Sequence, residues 1–256
     1  MNGNGNRRFV AWIVGLLAPS IAIVVGLWVV SSTWERVKTR PEKRTIEVTG
    51  SATKRIISDL IEWQAEIETR DADRTASYRA LRQHVETTLA YLKEQGIAAD
   101  DIRVSAVSSY ELIETEYIGT GEDRIQRRIS KGWSTRQSIS VRSTDIPRIE
   151  RVSREVTQLL EQGVPITSDA PQYHYTKLAE VKIDMLAMAA ANARERALKI
   201  VEAAGGTGLG KMWAADMGVI NINPANSTAT SWEGNNDKSS YEKDILTIAH
   251  VTYELP

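Results

Sequence analysis

Cysteine is absent from the sequence, and histidine occurs only three times in 256 residues. Without cysteine the chain forms no disulfide, no cysteine-ligated zinc site and no iron–sulfur cluster, and it has no thiol nucleophile. His84, His174 and His250 lie far apart and belong to no His-x-x-x-His pattern, so a metal site would have to be assembled by the fold. We therefore expect no metal and no cofactor.

Basic residues are scarce in the main part of the chain. The whole sequence has 32 Lys and Arg against 33 Asp and Glu, but residues 1–44 hold seven of the basic residues and only two of the acidic ones. The remainder therefore carries a net charge of about -6. Because a nucleic-acid groove needs a basic face, we expect no nucleic-acid partner. The 42% hydrophobic and 25% charged content is that of a globular protein.

Charged side chains are also missing from residues 9–30. A helix of 22 residues spans roughly 33 Å, which is enough for the hydrocarbon core of a bilayer. Pro19 is tolerated in such a helix as a kink, and Trp12 and Trp28 lie towards its ends, where indole rings prefer the interface. We predict a membrane anchor, with a tail before it (residues 1–8) and a linker after it (residues 31–43).

The alternative for this segment is a cleaved signal peptide. The apolar stretch is longer than the usual 7 to 15 residues of a signal peptide, and Ser31-Ser32-Thr33 is a poor cleavage site. The flanking charges bear on the side of the membrane on which the domain lies: five basic residues follow the segment and two precede it. That distribution favours a cytoplasmic body, but the rule weakens for long flanking domains, so composition leaves the side open.

From residue 44 onward the hydrophobic period alternates between two and 3.6, which predicts an α+β domain. A strand after residue 60 alternates apolar side chains with the carboxylates of Glu62, Glu66 and Glu68, which predicts an antiparallel strand with an exposed acidic face. Two helices follow, and their predicted starts are Asp71 or Asp73 and Thr144 or Asp145. Their apolar rows are Leu81, Val85, Leu89 and Leu92 in the first, and Ile149, Val152, Val156 and Leu159 in the second.

An internal repeat accompanies these two helices. Each ends in Glu-Gln-Gly, at Gly96 and at Gly163, and each is followed by an extended segment. The same placement in two matching strand–helix–strand units favours a duplicated βαβ architecture of ferredoxin-like type, with antiparallel sheets packed by helices.

A long hairpin at residues 102–142 separates the two helices. We expect the even-numbered residues from Ile102 to Leu112 to form one continuous face of its first strand. Its aromatic side chains, Tyr110, Tyr117 and Trp133, belong either to the core or to a projecting edge that docks a partner.

The last part of the domain contains the longest predicted helix, at residues 178–204. Its alanines, including Ala189, Ala193 and Ala197, allow close packing over a sheet. Two closing strands are predicted at residues 212–222 and 245–255. The polar segment between them, residues 223–243, is either flexible or ordered by a partner.

Two candidate chemistries have ordinary structural explanations. The glycine run at residues 205–210 follows a helix and precedes a strand, so Gly205 is better explained as a helix C-cap than as part of a phosphate site. The acidic face around Glu66, together with a histidine, could serve a ligand-binding or hydrolytic site, although strand alternation explains it equally well.

Several short motifs, in order, resemble the SIMPL family (DUF541), bacterial envelope proteins related to the oxidative stress defence protein and the Brucella periplasmic antigen. The resemblance covers residues 44–256 and is carried by residues 46–52 (IEVTGSA), 102–110, Gly132-Trp133 leading into 138–141 (SISV), 202–205 (EAAG) followed by 209–211 (LGK), and 246–255. The glycine turn is one residue longer than the usual family form, and the N-terminal segment resembles an anchor more than a removable signal.

This resemblance implies a non-enzymatic protein whose relatives form ring-like or channel-like homo-oligomers in the periplasm. It therefore favours a single-pass protein of the bacterial inner membrane, with a cytoplasmic N-terminus and a periplasmic domain at residues 44–256. We expect self-association through exposed strand edges and the 102–142 hairpin, in envelope maintenance or oxidative stress tolerance. The alternative is a periplasmic ligand-binding or hydrolytic domain that uses the acidic face around Glu66 and a histidine.

Overall fold

The computed structural model describes residues 26–34, 44–119 and 124–256. Within these ranges the helices are α1 (residues 26–34), α2 (Arg74–Glu94), α3 (Ile146–Glu155) and α4 (Leu178–Ala203). The strands there are β1 (Thr45–Ile57), β2 (Leu60–Asp71), β3 (Ile102–Val104), β4 (Ser108–Ile118), β5 (Ile125–Ser143), β6 (Ile166–Ser168), β7 (Gln172–His174), β8 (Met212–Met217), β9 (Asn221–Pro224) and β10 (Glu242–Glu254).

The larger sheet contains the repeated unit. Its strand order is β3-β5-β2-β6, with β4 paired to β5, β7 paired to β2, and all the paired strands antiparallel. Along the chain, β2, α2, β3, β5, α3 and β6 follow one another, which is the βαββαβ order that the two Glu-Gln-Gly stops predict. The predicted α+β architecture with antiparallel sheets is confirmed.

Both helices of this unit begin and end at the predicted signals. The Asp73 carboxylate accepts the Ala76 N–H at 2.8 Å, and Gly96 takes a left-handed φ of +78° after the helix. The Asp145 carboxylate accepts the Arg148 N–H at 3.3 Å. The second helix is α-helical only to Glu155 and continues as a 3-10 helix, Val156–Gln162, which keeps the apolar row buried.

The core of the larger sheet lies on the face that α2 and α3 cover. Its fully buried side chains include Trp63, Ile67, Leu81, Ile139 and Val152. The opposite face of the sheet carries the Glu62, Glu66 and Glu68 row and is not covered by a helix of the described residues. The alternation in β2 thus separates a helix-packed face from a polar one.

A second core forms on the smaller sheet, whose order is β1-β10-β8, with β9 also paired to β10. Helix α4 packs over β1 and β10 with a row of side chains at every fourth position, in which Ala189, Ala193 and Ala197 are fully buried. The close approach takes place at Gly50, where an added Cβ would lie 2.2 Å from the Ala189 carbonyl oxygen. The predicted packing of the alanine row is confirmed.

Two strand predictions need correction. The predicted face from Ile102 to Leu112 is interrupted, because the Ser105 hydroxyl accepts the Ser138 N–H at 3.0 Å and ends β3 at Val104. A bulge between Glu111 and Ile113 shifts the alternation a second time. The predicted strand at residues 212–222 is divided into β8 and β9, which pair with different parts of β10.

The polar segment at residues 223–243 is bonded to its own chain. Lys243 is buried, and its ammonium donates to the Tyr173 carbonyl at 2.7 Å and to the Asp237 carbonyl. The Asn223 amide, also buried, donates to the Ala229 carbonyl at 2.6 Å. Because Tyr173 lies on β7 and Lys243 on β10, the bond between them connects the larger sheet to the smaller one.

Most of the predicted anchor, with Trp12 and Pro19, lies outside the described residues, as does most of the predicted linker. Residues 26–34 are helical, and Trp28 is exposed on that helix. Among the residues that the structure describes, no helix combines the length and the apolar character needed to cross a bilayer.

Candidate functional site

The most exposed structured part of the larger sheet is a two-stranded extension formed by the outer ends of β4 and β5. Strand β2 ends at Asp71, opposite Trp133, so the residues of β5 before Trp133 pair with β4 alone. We call residues 112–119 and 124–131 the ribbon. Six residue pairs, from Ile113 with Ser130 to Ile118 with Ile125, extend it roughly 20 Å beyond the sheet. Both of its long edges therefore have backbone groups with no neighbouring described strand.

Gly132 marks the base of the ribbon. Its φ is +99°, a left-handed conformation that side chains disfavour, and an added Cβ would lie 2.4 Å from the Asp71 carbonyl oxygen. The bulge between Glu111 and Ile113 lies on β4 directly opposite. Together these two irregularities redirect the strand pair where β2 ends.

Large apolar side chains are exposed on both faces of the ribbon. Ile118 and Ile125 are cross-strand partners on one face and are 48% and 68% exposed. Ile113 and Tyr117 share the other face and are 42% and 54% exposed. A cluster of this kind on a projecting element is typical of an interaction surface, because a monomer gains nothing from exposing it on both sides.

The three predicted contact aromatics are separated by the structure. Tyr117 lies on the ribbon, with the Arg124 guanidinium 4.0 Å from its ring centroid. Tyr110 and Trp133 lie at the base of the ribbon instead. The Arg74 guanidinium lies 4.9 Å from the ring centroid of the half-buried Trp133, so Trp133 lies beside the first residue of helix α2 and not on the ribbon.

Sequence reasoning missed Ile113, Ile118 and Ile125, which contribute most of the exposed apolar surface of the ribbon. A signal for them exists in the sequence. Between residues 111 and 131, apolar and charged side chains occur at both odd and even positions, so neither face is a continuous core face. Because neither face of this strand pair is apolar enough to pack on a core, the pattern indicates a pair that extends beyond the sheet.

The polar face of the larger sheet is mixed in charge rather than acidic. On the neighbouring strand β5, Arg142 lies opposite Glu62, Ser138 opposite Glu66, and Arg136 opposite Glu68. The Ser134 hydroxyl donates to Glu68 Oε1 at 2.6 Å, and this bond is the main cause that lowers the pKa of Glu68, with Arg70 contributing at 3.0 Å. The acidic row is thus largely balanced by its neighbours.

The histidines are not brought to Glu66. His174 Nε2 lies 3.5 Å from Glu62 Oε2, about 13 Å along the strand from Glu66. Burial lowers the pKa of His174, although Glu62 acts in the opposite direction. His250 Nδ1 lies 3.0 Å from Thr49 Oγ1 on the smaller sheet, and His84 is part of helix α2. In the described part of the chain, no histidine forms a hydrogen bond with Glu66.

The groove beside Glu62 has a volume of about 610 Å³, and its charged lining is Glu62, Asp100, Asp101, Arg103 and Arg142. Carboxylates and guanidinium groups of similar number line it, so it favours no ligand charge. Across the described residues, no three histidine, aspartate or glutamate side chains converge as a metal site requires. The glycine run also lacks a phosphate-site geometry, because Gly205 follows α4 with a φ of +78° and its N–H bonds back to Glu202.

The fold and the site therefore define an α+β protein with two sheet-and-helix cores and a protruding, partly apolar ribbon. A family model described as SIMPL, a protein of unknown function (DUF541), matches residues 46–245. The matched range includes the described elements from β1 to β9 and the ribbon between them. The chain belongs to the SIMPL family. No curated protein matches it.

Proposed function

We propose that the chain is a non-enzymatic, membrane-anchored envelope protein that assembles with copies of itself into a ring-like homo-oligomer. The observation that carries this proposal is the ribbon. It offers two open strand edges and apolar side chains on both faces, and a strand edge of that kind pairs readily with another chain.

The proposed location follows from the apolar residues 9–30 and from the family resemblance. The helix 9–30 anchors the chain in the bacterial inner membrane, the N-terminus is cytoplasmic, and the domain at residues 44–256 is periplasmic. Anchoring raises the local concentration of the domain in a plane, so modest contacts are sufficient for assembly. The role is envelope maintenance or tolerance of oxidative stress.

The assembly is tested with the detergent-solubilised full chain and two variants. In the ribbon variant, Ile118→Thr and Ile125→Thr remove the exposed pair without touching either core. The control variant is Ile183→Thr, which removes a side chain that is 70% exposed on α4. Multi-angle light scattering should give one large, homogeneous mass for the wild type and the control, and a smaller mass for the ribbon variant. A wild type that is monomeric would contradict the proposal.

The topology has its own test. A reporter enzyme that is active only in the periplasm, fused after Pro256, should be active in intact cells. A silent reporter, together with activity of a cytoplasmic reporter at the same position, would place the domain on the other side.

A further inference from the structure

We infer that the copies meet head to tail along the ribbon, with the outer edge of β4 in one copy paired to the free edge of β5 in the next. This inference rests on the proposed function, because it specifies the contact that builds the proposed homo-oligomer. It commits to a second copy of this chain as the occupant of each open edge.

The two strands of the ribbon carry opposite charges. All the charged side chains of β4 are acidic: Glu111, Glu114 and Glu116. All the charged side chains of β5 that lie on the ribbon are basic: Arg127, Arg128 and Lys131. One edge of the ribbon is therefore lined by an acidic strand and the other by a basic strand.

Part of this charge is already paired within the ribbon. Lys131 Nζ lies 2.8 Å from Glu114 Oε2, but both side chains are more than half exposed, so the pair contributes little to stability. Arg127 and Arg128 form no ion pair with any other described residue, and both are exposed. The ribbon therefore has charge available for an outside partner on each edge.

The charge separation decides which strands can meet. If β4 of one copy paired with β4 of a second copy, every charged contact would be between glutamates, whatever the register. If β5 paired with β5, every charged contact would be between cations. Like charges opposite each other destabilise a strand pair, whereas opposite charges stabilise it. Pairing of β4 with β5 is the combination in which every charged contact is between opposite charges, whatever the register.

This combination also determines the symmetry. Because two different edges meet, the contact is heterologous, and each added copy presents the same pair of open edges as the last. Such a contact closes into a ring or continues as a filament. The proposed anchors all enter the membrane from the same side, so copies are related by rotation about the membrane normal, which is the symmetry of a closed ring.

Charge-exchange variants of the full chain test this inference. The first variant makes β4 basic through Glu111→Lys, Glu114→Lys and Glu116→Lys. The second makes β5 acidic through Arg127→Glu, Arg128→Glu and Lys131→Glu. The third combines all six changes. A control with the same change of net charge as the first variant has Glu94→Lys, Glu195→Lys and Glu202→Lys, which are exposed and lie on helices away from the ribbon.

The inference gives a distinct result for each combination. The first and second variants alone should need about tenfold or more protein for half-assembly, because the attractive contacts between the strands become repulsive. A one-to-one mixture of the two should assemble at a lower protein concentration than either variant alone, since each basic edge then meets an acidic one. The repulsion between β4 and β5 within each ribbon is the same in the mixture as in the single variants. The third variant should assemble with itself but form no mixed assembly with the wild type. The control should behave as the wild type.

Mixed assembly is read by pulling down one tagged chain and detecting the other. Co-assembly of the wild type with the third variant would overturn the inference, because it is the result expected when like strands meet across a two-fold axis. If the first and second variants alone assemble as well as the wild type, the inference is also overturned, because the contact then lies elsewhere. The proposed self-assembly would stand in that case. A wild type that is monomeric would contradict both proposals. Circular dichroism of each variant checks that both cores remain folded.

Discussion

Replacing Gly50 with alanine tests how the smaller core is packed. Gly50 lies on β1 beneath α4, and an added Cβ would be 2.2 Å from the Ala189 carbonyl oxygen, 2.4 Å from the Ala193 nitrogen and 2.7 Å from the Ala193 Cβ. Two of these three atoms are backbone, so no side-chain rotation can make room. The helix has to retreat from the strand.

The size of the effect follows from these distances. Ordinary contact begins near 3.4 Å, so α4 must move by about 1.2 Å to clear the Ala189 oxygen. A gap of 0.5 to 1 Å already removes roughly a quarter to a half of a van der Waals contact, and the whole buried row of α4 shares the shift. Overpacking typically lowers the free energy of unfolding by about 1 to 3 kcal/mol, and we expect a decrease of about 3 kcal/mol here because the clash is with the backbone.

The assay is urea unfolding of the full chain in detergent micelles, followed by far-ultraviolet circular dichroism. Two control variants separate the causes. Ser51→Ala changes the next residue, whose side chain lies on the other face of β1 by strand alternation, and should lower the free energy of unfolding by less than about 0.5 kcal/mol. Gly163→Ala adds a Cβ with nothing within 4 Å but at a φ of +80°, so it measures conformational strain alone, about 1 kcal/mol.

A Gly50→Ala variant that unfolds at the same urea concentration as Ser51→Ala would refute this account. It would mean that α4 is not seated on β1 as closely as the alanine row indicates. A cost equal to that of Gly163→Ala would likewise show that the clash is relieved without moving the helix.

Three further predictions concern other parts of the fold. Gly132→Ala should lower the free energy of unfolding by about 2 kcal/mol and weaken self-assembly, because the left-handed φ and the Asp71 carbonyl both disfavour a Cβ at the base of the ribbon. Urea unfolding measures the first effect and light scattering the second, and unchanged assembly would contradict the prediction. Lys243→Met should lower the free energy of unfolding by about 2 to 4 kcal/mol, because it leaves the Tyr173 and Asp237 carbonyls without their charged donor. Residues 223–243 should then be cleaved faster by a protease, and an unchanged cleavage rate would argue against the prediction. Burial lowers the pKa of His174 below its usual 6.5, so the unfolded chain binds more protons than the folded chain as the pH falls below 6.5, and the folded chain loses stability. Between pH 7 and 5 the melting temperature of His174→Gln should therefore fall less than that of the wild type. Equal decreases would contradict the effect.

Local signals in the sequence were sufficient to predict the elements of the repeated unit. The capping aspartates Asp73 and Asp145 and the left-handed Gly96 act through bonds within a few residues, so their roles can be read without knowing the fold. The alternation in β2 likewise reflects one buried face and one polar face. These features place the elements, and the paired Glu-Gln-Gly stops give their βαββαβ order.

The ribbon could not be read in the same way, because it depends on where a different strand ends. The ribbon extends beyond the sheet because β2 stops at Asp71. The mixed pattern of residues 111–131 shows that no core face is present, but the point where the extension begins is determined by the length of β2. The prediction that β4 and β5 pair as a hairpin was therefore correct. Trp133, which was chosen as a contact residue, lies at the base of the ribbon.

The internal bonds of the polar segment at residues 223–243 could not be read from the sequence for a related reason. Asn223 and Lys243 are residue types normally found at the surface, yet both are buried and bonded to backbone carbonyls. Composition cannot show that a polar side chain has found a partner far along the chain, as Lys243 has in Tyr173. The same limit applies to His174, which meets Glu62 rather than Glu66.

The central claim is that this chain works as an assembly of identical copies, and its most direct test is the mass of the particle taken from the membrane without detergent. The full chain, extracted in polymer-bounded lipid discs, is measured by native mass spectrometry after release of the lipid. The account predicts one discrete species whose mass is a whole multiple, greater than two, of 28.5 kDa. A single copy per disc at every expression level would contradict it.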